Sequence, residues 1–194
     1  MENKYYFFSW EVNEKFDIEQ DTVCNMVVQA PCNLDLNVSL KQKWIKVKMN
    51  YLFLWKEDNI KGNINVNIEN SYIEVSANMF LLLGKNSDIN VKGNININPN
   101  IEKIKADLVE EALYLDDKAK VGLVPRLNVM SNDVIASHSA KVERLSELSM
   151  FYIQSKGISL EEAKKLVISS YINRVLDGYE KLEESVEKYI DYIL

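Results

Sequence analysis

The segment Lys61-Gly62-Asn63-Ile64-Asn65-Val66-Asn67-Ile68 returns 31 residues further on, at Lys92, as Lys92-Gly93-Asn94-Ile95-Asn96-Ile97-Asn98. A segment recurring at a period of 20–50 residues marks a solenoid or an array. Here the recurring unit alternates Ile or Val with Asn, the period-two pattern of a strand with one buried face. Stacked in register, such strands bury an aliphatic ladder and leave asparagines outside, which is how a parallel β-helix closes its core. The same alternation is present earlier, where Leu34, Leu36, Val38 and Leu40 are separated by Asp35, Asn37 and Ser39. Lys46–Met49 and Tyr51–Trp55 continue it, broken only around Ala30-Pro31 and Glu57-Asp58-Asn59. The expected fold is mainly β: a right-handed parallel β-helix (solenoid) with a C-terminal α-helical segment.

Further along, the signals change. Ile101–Tyr114 reads as helical by composition alone. Leu127, Val129, Val134 and Ala136, spaced by polar residues, read as a buried strand system. From Ser146 the spacing becomes helical, with Ser146 as a cap and Gly157 as a left-handed stop. Ser159-Leu160-Glu161-Glu162 forms a capping box. Ala163, Leu166, Val167, Tyr171 and Val175 then predict one helical face. Past Gly178, the residues Tyr179, Leu182, Val186, Tyr189 and Ile193 predict a last amphipathic helix. The expected division is a β-helix core over 1–143 and a helical segment over 144–194.

Charge and composition exclude several classes. The net charge of −6 argues against a nucleic-acid partner, which needs a basic face. No apolar run approaches the roughly 20 residues of a membrane span. The opening residues carry charges where a secretory signal needs an apolar core, so the expected location is cytoplasmic. Glycines fall in no phosphate-cradling G-x-x-x-x-G-K-[ST] pattern, so no ATPase activity is expected of the chain itself.

Few residues carry metal or acid–base chemistry. His138 is the single histidine, the one side chain suited to ligate a soft metal or move protons near neutral pH. Cys24 and Cys32 are spaced too widely for a zinc knuckle or a redox pair, and read as reduced, partly buried thiols. The carboxylate pairs Glu110-Glu111 and Asp116-Asp117 raise a carbohydrate-active β-helix as an alternative. Adjacent strand residues face opposite ways, however, so neither pair is expected to converge on a substrate.

One ordered set of motifs is more specific. Pro125 with Leu127, Asp133-Val134 and Ser137-His138-Ser139-Ala140 are followed by Phe151-Tyr152-Ile153, Gly157-Ile158 and Glu161-Glu162-Ala163. That order resembles the C-terminal end of the SufB/SufD family, the β-helix subunits of the SUF iron–sulfur cluster assembly machine. The resemblance is firm over Leu115–Tyr171 and places strands, not a helix, at Ile101–Tyr114. It implies a non-enzymatic assembly subunit, SufD-like because Ser139 replaces the glutamate of SufB-type chains and Ala106–Leu115 lacks their cysteine. It places His138 at the interface with a SufB-like scaffold, or with a second copy, as a ligand of a transient iron–sulfur cluster. No tightly bound cofactor is implied. Ser137 and Ser139 would flank that interface. Phe151, Tyr152 and Ile158, with Glu161 and Glu162, would receive a SufC-like ATPase, although a helical cap over the solenoid's open end would explain those helices as well. An adaptor of the same partners with no cluster role is the other reading.

Overall fold

The computed structural model describes residues 1–8, 12–28, 33–55, 59–175 and 190. Cys32, Ala30-Pro31 and, apart from Ile190, the expected last helix lie outside them. In chain order the elements are β1 (Glu2–Phe8), β2 (Val12–Ile18), β3 (Thr22–Val28), β4 (Asn33–Leu40), β5 (Ile45–Trp55) and β6 (Asn59–Ile68). They continue as β7 (Ile73–Leu83), β8 (Asp88–Ile97), β9 (Ile104–Tyr114), β10 (Lys120–Leu123), β11 (Arg126–Val129), β12 (Val134–Arg144), α1 (Glu147–Gln154) and α2 (Leu160–Val175).

Odd and even strands separate. One sheet runs β1-β3-β5-β7-β9-β12 and the other β10-β8-β6-β4-β2, with β11 also on β8. Every pairing is parallel. The chain therefore passes from sheet to sheet and climbs one strand per circuit, making a parallel β-solenoid of about four turns. The solenoid expectation holds, and Ile104–Tyr114 is a strand. Its helical composition is overridden by eleven residues of pairing against β12 on one side and ten against β7 on the other.

The internal repeat is displaced from the structural one. Asn65 pairs with Asn94 and Val66 with Ile95, so the two copies are offset by two residues from their sequence alignment. An even slip preserves the in–out phase. Ile64, Val66, Ile68, Ile95 and Ile97 all stay in the core. The outward asparagines form hydrogen-bonded ladders, with Asn65 Nδ2 donating to Asn37 at 3.1 Å and Asn94 Nδ2 to Asn65 at 3.0 Å. A parallel ladder, Asn25–Asn50–Asn78, runs through the first sheet at 2.9 and 3.1 Å.

The two sheets differ in what covers them. Strands of the second sheet alternate, as in the eBeBiBiB burial of β4, because one face meets solvent. In β3 every residue is buried, as are Tyr51–Leu54 of β5 and Met79–Leu83 of β7. Their second face lies under α2, whose Ile168 and Ile172 join Val27, Leu52, Leu54, Phe80, Leu82, Leu113 and Ile190 in a separate apolar cluster. Continuous apolar runs are the mark of strands buried on both faces. Phe80 and Tyr171 stack at 5.1 Å with planes 6° apart.

Two expectations are corrected. The buried stripe of α2 is Ala163, Ile168 and Ile172 with Val167 and Tyr171 half-buried, while Leu166 is exposed. The helix rests on a sheet face and not over the solenoid's end, which turns its contact line by about one residue from the predicted one. Val129, expected to be buried, is exposed because β11 belongs to the last coil, with no further strand beside it.

Candidate functional site

The last coil ends in β12, which pairs along its full length with β9 and, among the described residues, has no strand on its other edge. An unpaired parallel edge presents a row of free backbone donors and acceptors. Register with β9 sets the phase of each side chain. Val134, Ala136, His138, Ala140 and Val142 stand opposite Ile104, Ala106, Leu108, Glu110 and Ala112, all buried, and so continue the inward columns of the solenoid. Val134 and Ala136 are half-buried against the core, whereas His138 is inward in phase yet exposed to solvent. Ser137 and Ser139 face the other way. Ser137 Oγ donates to Asp107 Oδ1 at 2.5 Å on the outer surface, and Ser139 is exposed. The strand pleat thus separates the two serines from the histidine they were expected to accompany.

His138 is oriented by a carbonyl. Its Nδ1 lies 3.1 Å from the Pro125 oxygen. A carbonyl only accepts, so Nδ1 carries the proton and Nε2 is the nitrogen whose lone pair is free in the neutral ring. Backbone anchoring of one ring nitrogen while the other ligates is the usual arrangement of metal-binding histidines.

Pro125 has its position for a reason. β10 and β11 would be one strand beside β8 but for Val124-Pro125, and proline lacks the N–H that a ladder needs. Opposite that gap, the Gly93 N–H donates to Glu110 Oε1 at 2.9 Å. Glu110 is fully buried, and among the described residues its Oε2 has no hydrogen-bond partner. Burial pushes its carboxyl up to about 7, against the pull of the Gly93 and Val124 amides toward the charged form. Sequence reasoning treated Glu110 only as half of an adjacent pair. The phase of Leu108 and Ala112 is the signal that would have placed it inside. The pair does split across the strand, with Glu111 on the opposite face. Asp116 and Asp117 are engaged separately, Asp116 with the Lys118 N–H and Asp117 with Arg144.

A cluster-sized cargo would find one donor here. Among the described residues no three His, Cys, Asp or Glu side chains gather as a metal site. Cys24 is buried on β3, and desolvation pushes its thiol up to about 11. Among the described residues, His138 offers one imidazole nitrogen on this strand and no thiolate stands beside it.

Behind β12, two helices present the second candidate surface. Ser146 Oγ accepts from the Ser149 N–H at 3.2 Å and starts α1. Gly157, at φ 88°, turns the chain. The capping box then starts α2: Ser159 Oγ accepts from the Glu162 N–H at 3.2 Å, and Glu162 Oε2 accepts from the Ser159 N–H at 3.0 Å. Glu162 therefore builds the helix start, and Glu161 is bridged to Lys165. Phe151 and Tyr152 are 69 % and 64 % exposed, and sequence reasoning missed Leu148 at 78 %, although its spacing to Phe151 and Tyr152 is helical. Ile158 is half-buried in a groove of about 490 Å³ with Gly157, Glu162, Lys165, Leu166 and Ser169. Among the described residues no helix is long and apolar enough to cross a membrane.

A parallel β-solenoid whose last strand carries a carbonyl-oriented histidine, with a helix packed on its first sheet, defines the architecture. The model of the SUF system FeS cluster assembly SufBD core domain matches residues 25–171, and the chain belongs to that family. It is 33 % identical over 82 residues to "Protein ABCI7, chloroplastic" of Arabidopsis thaliana, covering 42 % of this chain and 17 % of that one. Iron-sulfur cluster assembly protein SufD of Bacillus subtilis is 35 % identical over 75 residues, 39 % of this chain and 17 % of SufD. SufB of the same organism is 30 % identical over 71 residues, 37 % of this chain and 15 % of SufB. The matches thus span about a sixth of the length of these curated relatives.

Proposed function

We propose that this chain is a non-ATPase, SufD-like subunit of iron–sulfur cluster assembly. It pairs through β12 with a SufB-like scaffold or with a second copy of itself. The observation that carries the reading is His138 on an unpaired strand edge, with Nδ1 held by Pro125 and Nε2 free. One imidazole donor suits a shared site, in which the partner supplies the thiolates and the nascent cluster is cargo. Ser139 and the cysteine-free β9 support the SufD-like assignment over the scaffold role.

The exposed Leu148, Phe151 and Tyr152, with the groove at Ile158 and Leu166, suit docking of a SufC-like ATPase. Contiguous exposed apolar residues of this kind mark partner surfaces. ATP-driven movement of that partner would reorient the dimer and open the His138 edge.

The test is co-purification with SufC-like and SufB-like proteins of the same organism, with iron and sulfide measured in each complex. A complex whose iron falls with His138→Ala supports the assembly role. A complex with unchanged iron makes the chain an adaptor. Absence of any complex refutes both.

A further inference from the structure

A different surface lies where successive coils enter the first sheet. Trp44, Tyr72 and Lys103 each immediately precede a strand, β5, β7 and β9, and stand one above another in register. All three have left-handed backbone, with φ of 62°, 63° and 56°. That conformation costs a bulky L-residue about 1–2 kcal/mol, and asparagine fills it more cheaply at Asn86 and Asn100 of this same chain. The two aromatic rings are therefore held at some cost where they are.

Their arrangement is that of a prebuilt platform. Trp44 is 72 % exposed and stacks on Tyr72 with centroids 3.9 Å apart and planes at 17°. The Tyr72 hydroxyl donates to Glu102 Oε1 at 2.6 Å, which fixes its ring. Beside the rings lies a groove of about 400 Å³ lined also by Lys46, Glu74, Lys103 and Lys105. Lys46 is bridged to Glu74 at 3.2 Å and Lys103 to Asp133 at 3.0 Å, all largely exposed pairs that release at little cost. Among the described residues Lys105 has no ion pair. Three lysines around one groove run against the chain's overall charge of −6.

We propose that this groove binds a small ligand in which a planar aromatic ring carries a phosphate, the chemistry of a mononucleotide. The ring extends the Trp44–Tyr72 stack, since aromatic stacking accepts any base and adds about 1–3 kcal/mol. The phosphate meets Lys105, joined by Lys46 and Lys103 as their surface pairs open. The two rings are already stacked and Tyr72 is already hydrogen-bonded, so less side-chain ordering opposes association.

Titration of the full chain with adenosine 5′-monophosphate by calorimetry tests this, with adenosine and ribose 5-phosphate as controls. Saturable binding is expected, weakened about tenfold or more by Trp44→Asn, which keeps a residue tolerant of left-handed backbone, and likewise by Lys105→Glu. Each control compound should bind at least about tenfold more weakly than the monophosphate. Thermal melts identify variants that remain folded, and Lys105→Glu, on an exposed side chain, keeps the test decisive if Trp44→Asn unfolds. No saturation at about 10 mM overturns the proposal, as does wild-type affinity in both variants. Ribose 5-phosphate binding as tightly as the monophosphate removes the stacking role, and equal binding of adenosine removes that of the lysines. Either result also overturns it.

Discussion

Cys24 and His138 share one internal column: Cys24, Met49, Ala77, Leu108 and His138 face one another across five successive strands of the first sheet. Four strand spacings of about 4.8 Å put the two residues roughly 19 Å apart, too far to share a cluster. The one way for this chain to add a described thiolate beside His138 is thereby closed.

The cysteine should accordingly be inert. In a Cys32→Ser background, Cys24 is expected to resist a thiol reagent in the native state and react only on unfolding, because burial holds it protonated with its thiol near 11. Cys24→Ala should leave the iron content of a purified complex unchanged, whereas His138→Ala should lower it by about half or more. Equal losses in both variants would count against the geometry described here.

Glu110 predicts how stability depends on pH. Its native pKa, about 7, exceeds its ordinary value of 4.5, so between those values the folded chain holds more protons than the unfolded one. Stability from this group is full below about pH 4.5 and is lost as pH rises through 7. The loss amounts to at most about 3 kcal/mol. Denaturant melts at pH 5 and pH 8 should show Glu110→Gln with a smaller difference between the two than wild type.

Gly93 leaves the space that Glu110 fills. A Cβ there would come within 2.6 Å of Glu110 Oε1, 2.9 Å of Met79 Sδ and 3.0 Å of Leu108 Cδ1. Gly93→Ala should destabilise by about 1–3 kcal/mol, and Glu110→Ala in the same chain should recover part of it. Additive losses in the double variant would show that the two residues do not compete for one volume.

Removing one rung should weaken the asparagine ladder on both sides. Asn50 is fully buried, donates to Asn25 and accepts from Asn78. Asn50→Ala is expected to cost about 1–3 kcal/mol in a urea melt, more than Asn65→Ala, whose neighbours water can reach. Similar costs at both positions would mean that burial is not what sets the ladder's value.

If α1 receives a SufC-like ATPase as proposed, Leu148→Asp and Phe151→Ala should each weaken its capture by about tenfold while leaving the melting temperature within a few degrees of wild type. Unchanged capture in both would move the docking site off this helix.

Much of this architecture was legible in the residues because period two survives wherever one face meets water, as at Leu34–Leu40 and Ile64–Ile68. The capping box at Ser159 was legible for a similar reason, being a local hydrogen-bond pattern that tertiary contacts do not alter. Positions that depend on what lies across the fold were not legible. Leu166 has the right spacing for a buried face and is exposed, since only the line of contact with Phe80 and Leu82 decides which stripe is covered. Nor did adjacency reveal Glu110, which is interior because Gly93 of β8 and the proline gap of the last coil lie across the fold from it.

The coils take different numbers of residues, 25 from Asn25 to Asn50, 28 from Asn50 to Asn78, 29 from Asn65 to Asn94 and 32 from Asn96 to Asn128, yet the asparagines meet every time. Insertions and deletions are thus absorbed at the corners, while the pitch along the axis stays constant. Corner length is then free to drift between relatives, and any comparison that assumes a uniform repeat falls out of step within two coils. The amide pairs are the milestones by which related chains of unequal length can be laid side by side.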